Sequence, residues 1–115
     1  MCIIYRYDIL DNKWSTLNST LRQKRVFQRN VYVEEANAIL IIGGEGNTYN
    51  DTLSSVEYFD VATESVIYSA ESNLIYKRDQ CAAIAWNDGK IYVFGGSPNG
   101  TYIHDTYEIG IISNN

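Results

Sequence analysis

The hexapeptide ILIIGG at residues 39–44 returns as IYVFGG at residues 91–96, 52 positions further on. Two unrelated markers keep nearly the same step. Asp8, which closes YRYD, and Asp60, which closes EYFD, are again 52 apart, and the pair Lys24-Arg25 recurs 53 positions on as Lys77-Arg78. A period of about 50 residues is the length of one propeller blade or solenoid unit. Such a unit cannot bury its apolar faces alone, so the chain must stack copies of it.

Each unit reads as a series of short strands. NVYV and AILII flank EEAN, and CAAIAW and KIYVF flank NDG, where Asp88-Gly89 is a hairpin signal because both residues tolerate positive φ. SSVEYF and TESVIYS supply a third and fourth strand around DVA, and DILDNKWSTL repeats that turn and fourth strand near the N-terminus. Residues 15–29, the best helix candidate, lack a sustained 3.6-residue period. The expected class is all-β.

A double glycine after an apolar strand, an aromatic-Asp step some 16 residues later, Trp14 six residues after Asp8, and an arginine ahead of the next unit together resemble the kelch repeat. The resemblance covers nearly the whole chain. It implies a β-propeller built from four-stranded antiparallel blades, with residues 1–20 as the last two strands of one blade, 21–73 as a complete repeat, and 74–115 as a repeat lacking its fourth strand. That makes about two blades, against about four to eight in a closed propeller, so these residues form an open, partial array expected to be marginal by itself. The chain departs from the pattern in three places. Val66 stands where Trp14 does in the first unit, Asn37 replaces the hairpin glycine Gly89, and Gly110 falls where the third aspartate is expected.

The motif residues have structural work to do. Gly43, Gly44, Gly95 and Gly96 let the chain turn outward where neighbouring backbones crowd. Tyr7, Phe59 and Ile109 are read as equivalent third-strand residues filling the space between blades. Asp8 and Asp60 are expected to accept hydrogen bonds from the turns that follow, and Trp14 to pack on its blade.

Function is expected at the end of the blades shared by the entering linkers and the loops between second and third strands, the face with which kelch-like propellers bind partners. The linkers hold Arg22, Lys24, Arg25, Arg29, Lys77 and Arg78, six of the nine basic residues. Of these, Arg25, Arg29 and Arg78 are the candidates for grasping an acidic peptide through forked guanidinium groups. The loops add Asn47, Tyr49, Asn50, Asn99, Tyr102 and His104 for adaptable polar and flat contacts. The resemblance implies a protein-interaction module, as substrate recognition for a cullin-based ubiquitin ligase; the alternatives are an actin-associated or scaffold kelch protein, a truncated product with no binding role, and, as the least favoured, a fragment of a kelch-type enzyme.

Other classes fit poorly. The net charge of −5, from 14 acidic and 9 basic residues, argues against a broad nucleic-acid surface. No apolar run approaches the roughly 20 residues of a membrane helix, and residues 1–8 do not read as a signal peptide, so a cytoplasmic location is expected. A single histidine, His104, does not furnish the several ligands that copper-containing propeller enzymes of this type need, so no metal, no cofactor and no enzymatic activity are expected. Cys2 and Cys81, without metal-ligand spacing, read as reduced thiols. The three N-x-[ST] tripeptides, at Asn18, Asn50 and Asn99, read as incidental.

Overall fold

A computed structural model describes residues 2–48, 51–98 and 107–111. The protein is all-β, with three separate antiparallel sheets and none closed on itself. Strands β1 (Ile3–Asp8) and β2 (Lys13–Thr20) form the first sheet. The second runs in order β3 (Arg29–Val33), β4 (Ala38–Ile42), β5 (Val56–Asp60) and β6 (Ser65–Tyr68). The third contains β7 (Ala82–Ala85), β8 (Lys90–Phe94) and β9 (Tyr107–Ile111). A single 3-10 turn, Ala70–Ser72, is the helical element among the described residues, and none of them forms a helix long and apolar enough to cross a membrane.

The hairpin turns repeat from sheet to sheet. Asn37 (φ 47°) takes the left-handed conformation that Gly89 (φ 80°) takes at the same place one unit later, as asparagine can at modest cost. The two aspartates also act alike. Asp8 Oδ1 accepts from the N–H groups of Leu10 and Asp11, and Asp60 Oδ1 from those of Ala62 and Thr63, which fastens the turn into the next strand. Across that turn Tyr7 is paired with Trp14, their rings 5.0 Å apart, and Phe59 is paired with Val66.

Strand register corrects one sequence expectation. Val93 pairs with Glu108 as Ile41 pairs with Glu57, and Ile91 pairs with Gly110 as Ile39 pairs with Phe59. Gly110 therefore occupies the place of Phe59, not of Asp60. Ile109 matches Tyr58 rather than Phe59, and Ile111, opposite Lys90, takes the aspartate's place opposite Ala38. The connection into β9 is one residue shorter than that into β5, so the aspartate's place falls 51 residues after Asp60, at Ile111, and not 50 after it, at Gly110.

The core lies between the second and third sheets. Val31, Val33, Ile42 and Val56 meet Cys81, Ile91 and Val93, all of them buried. Alternation along the strands dictates this, since residues two apart share a face. The inner strands β3 and β7 make the contact, whereas the main strand contact between the first and second sheets is that of their outer strands β2 and β6.

Candidate functional site

At one end of the sheets, each entering linker is bridged to the loop that follows the double glycine. Val26 bridges Glu45, Glu45 bridges Thr52, and Asp79 bridges Ser97 as Val26 does Glu45. The linker of the third sheet also crosses the second: Gly44 N–H donates to Arg78 O, Arg78 N–H to Leu53 O, and Gln80 N–H to Phe27 O. Thr52 Oγ1 donates to Asp79 Oδ2 at 3.3 Å, both residues being buried. Loops from two sheets are thus held together at one end.

Two of the arginines at this end, Arg25 and Arg78, do not form its surface. Arg25 has a fully buried side chain (0% exposed) and pairs with Glu57 (1%) at 2.7 Å, while Arg78 (0%) pairs with Glu108 (8%) at 2.9 Å. Each glutamate also accepts two linker N–H groups: Glu57 those of Arg22 and Gln23, and Glu108 those of Ile75 and Tyr76. Each arginine in turn donates to a carbonyl of the double glycine, Arg25 to Gly43 O and Arg78 to Gly95 O. Arg25 further donates to Ser55 O and Oγ. A buried ion pair needs such partners, because removal from water makes each unmet donor and acceptor costly; of the atoms in these two pairs, Arg25 Nε is buried without one. The expected basic rim is therefore corrected at Arg25 and Arg78, whose guanidinium groups tie linker to third strand inside the blade. Arg29 is more exposed, yet its Nε–H donates to Cys81 O at 2.9 Å and so joins the second sheet to the third.

Glu57 and Glu108 were not singled out from the sequence, although a glutamate near the start of two successive third strands was visible there. Tyr5 pairs with Thr16 in the first sheet and stands 52 positions before Glu57, so this sheet has no such lock at that place.

Exposed side chains at this end include Arg22, Lys24 and Asn47. The Arg22 guanidinium lies over the Tyr68 ring, 4.5 Å from its centroid, a favourable stacking geometry. Asn47 sits in a loop drawn tight by Asp51, which accepts the N–H of Gly46 at its carbonyl and that of Asn47 at Oδ2. The other proposed contacts, Tyr49, Asn50, Asn99, Tyr102 and His104, lie outside the described residues. Burial pushes the Cys81 thiol above its ordinary range, which disfavours the thiolate, and the nearby Arg78 and Arg29 only partly offset this. No group of three or more His, Cys, Asp or Glu side chains among the described residues could hold a metal ion.

No family model matches the chain. Over 94 residues, 82% of its length, the chain is 29% identical to an F-box/kelch-repeat protein of Arabidopsis thaliana, of which it spans 21%. The similarity accords with the blade-like sheets and with the recurrence of the double glycine.

Proposed function

We propose that this chain is the blade-bearing part of a protein-interaction module, and that its contact surface is the end where linkers and post-glycine loops are bridged together. The observation that carries this is the pair of linker-to-loop bridges, Val26 with Glu45 and Asp79 with Ser97, tied to one another through Thr52 and Asp79. Loops held this way lose little conformational freedom on binding, which is what a rigid scaffold contributes to recognition. Kelch repeats in the similar protein support the same reading.

With Arg25 and Arg78 turned inward, the exposed cations at this end include Arg22 and Lys24, and the loop after the double glycine carries the half-buried Glu45 and Asp51. A surface of both signs suits a polar protein segment with an acidic group reaching Arg22 or Lys24, rather than a strongly acidic peptide. Within this reading the module presents bound proteins to a cullin-based ubiquitin ligase, a role supported by the resemblance to kelch-like proteins and not by any feature of the geometry.

Affinity capture with quantitative mass spectrometry tests the surface. Lys24→Ala with Asn47→Ala should deplete specific partners at least tenfold, whereas Glu34→Ala with Glu35→Ala, at the opposite end of the sheets, should leave them unchanged. Equal recovery with both double variants would reject the assignment.

A further inference from the structure

The two locked arginines use their donors differently. Arg78 commits its Nε–H to Glu108 Oε2 at 2.9 Å. Arg25 instead spends Nη1 on Gly43 O and Ser55 O, and Nη2 on Ser55 Oγ and Glu57 Oε2. A guanidinium has one further donor, Nε–H, and in Arg25 it is buried without an acceptor on a side chain that is 0% exposed. A donor in that position is costly to leave unmet, so it marks a place where an acceptor belongs.

Arg25 also forms part of the wall of a pocket of about 260 Å³, completed by Arg22, Gln23, Ser55, Glu57 and Tyr68. All six come from the linker and from the four-stranded second sheet or the residues just before its strand β5. The linker is seated at its start as the next one is, with Leu21 N–H donating to Cys2 O and Leu74 N–H to Ser54 O. The walls are thus parts that the repeat supplies complete. Two guanidinium groups and one carboxylate among them leave one positive charge over. Arg22 is stacked on the Tyr68 ring, 4.5 Å from its centroid, an arrangement that uses the face of the guanidinium and leaves its edge N–H groups to donate. A monoanion matches this charge, whereas a phosphate dianion would exceed it beside the buried Glu57.

We propose that this pocket is a carboxylate subsite, which takes the carboxylate of an acidic side chain or chain terminus of a bound protein between Arg22 and the Nε–H of Arg25. The subsite rests on the reading of this end of the sheets as the contact surface and sharpens it. The partner's acidic group is directed into a pocket with a buried donor, where a charge-assisted hydrogen bond is stronger than at an exposed lysine.

The Arg25 Nε–H resonance, followed by nitrogen-proton correlation NMR, reports on the site with the 115-residue chain unaltered. The probes are blocked tripeptides: acetyl-Gly-Glu-Gly-amide, its glutamine and phosphoserine counterparts, and acetyl-triglycine with a free C-terminus. The glutamate peptide should shift the resonance to saturation, and the glutamine peptide should bind about tenfold more weakly, the fold-change expected for one charged hydrogen bond. Tighter binding of the free-terminus peptide than of the glutamate peptide would support the subsite and assign it to a chain end. Arg22→Gln should weaken the glutamate peptide about tenfold, while Lys13→Gln, which removes an exposed cation of the first sheet, should not. An unmoved resonance, equal affinity for glutamate and glutamine, or equal losses in Arg22→Gln and Lys13→Gln would overturn the proposal, and tightest binding of phosphoserine would replace carboxylate by phosphate. Partner capture separates the two readings. Partners retained by Arg22→Gln but lost by Lys24→Ala with Asn47→Ala would reject the subsite alone, and glutamate binding in a chain whose partners ignore that double change would reject the surface alone.

Discussion

The second sheet is flanked on its two faces by neighbours of different completeness, and the two contacts turn out differently. Toward the third sheet, Val31, Val33, Ile42 and Val56 are buried against inner strands and form the core. Toward the first sheet, which has only outer strands, Ile39, Ile41 and Phe59 line an open cleft of about 410 Å³ together with Gln28, Asn30 and Leu17. The faces are built from the same alternating strands, so sequence alternation alone does not decide burial. The inner strands do. Apart from Ile41, which is buried on the open side as well, the apolar side chains named on these two faces are buried where the neighbour's inner strands cover them, in keeping with the weight of interfaces in the stability of such arrays.

The largest test of this contrast concerns the locked charges. Arg25→Met leaves the Glu57 carboxylate buried with two N–H donors but no counter-charge, and should lower stability by about 3–5 kcal/mol. Tyr5→Ala, at the corresponding exposed place of the first sheet, should cost about 1 kcal/mol or less. Urea denaturation of both variants measures the difference; equal midpoints would mean that the lock is not what holds the linker. Next comes the core itself. Ile42→Ala removes a side chain from the filled contact and should cost about 2–5 kcal/mol, whereas Ile39→Ala, from the strand facing the open cleft, should cost about 1 kcal/mol.

The double glycines sharpen the same comparison. Gly43 and Gly95 are equivalent and share a left-handed backbone, with φ of 61° and 62°. A Cβ at Gly43 would lie 2.3 Å from Arg78 O of the next linker, while at Gly95 it would meet nothing within 4 Å among the described residues. Gly95→Ala should therefore cost only the left-handed strain, about 1 kcal/mol, and Gly43→Ala more than about 2 kcal/mol because the linker must move as well. Thermal melts of the two variants that coincide would show that the linker yields freely.

Much of the fold was legible because its signals are local. The alternation in NVYV and KIYVF, the turn chemistry of Asp60 and Asn37, and the glycine pairs each act within a few residues. What escaped was non-local. Lys and Arg in a linker read by default as solvent-facing, and only a partner some 30 residues away, Glu57 for Arg25 or Glu108 for Arg78, turns them inward. The same glutamates held the clue to register: Glu57 and Glu108 are 51 apart, not 52, which dates the slip to the loop before β9. Counting from aspartates could not reveal it, because β9 has none at its end.

The smallest expected effect lies at the open contact. Arg6 Nη1 and Glu64 Oε2 are 2.6 Å apart and link the first sheet to the turn of the second, yet their side chains are 52% and 39% exposed. Ser19 Oγ donates to Glu64 O beside them, so the geometry survives loss of the charge. Arg6→Ala should therefore cost only about 0.2–1 kcal/mol. In about 1 M NaCl, where the screening length falls to about 3 Å, the cost should nearly vanish. Urea is the denaturant to use, since guanidinium would itself screen the pair. Arg25→Met, its pair shut away from solvent, should keep its full penalty at the same salt. If Arg6→Ala instead proved as costly as Arg25→Met, or as insensitive to salt, the first sheet would be bound to the second as an interior contact and inner strands would not be what makes a blade face a core.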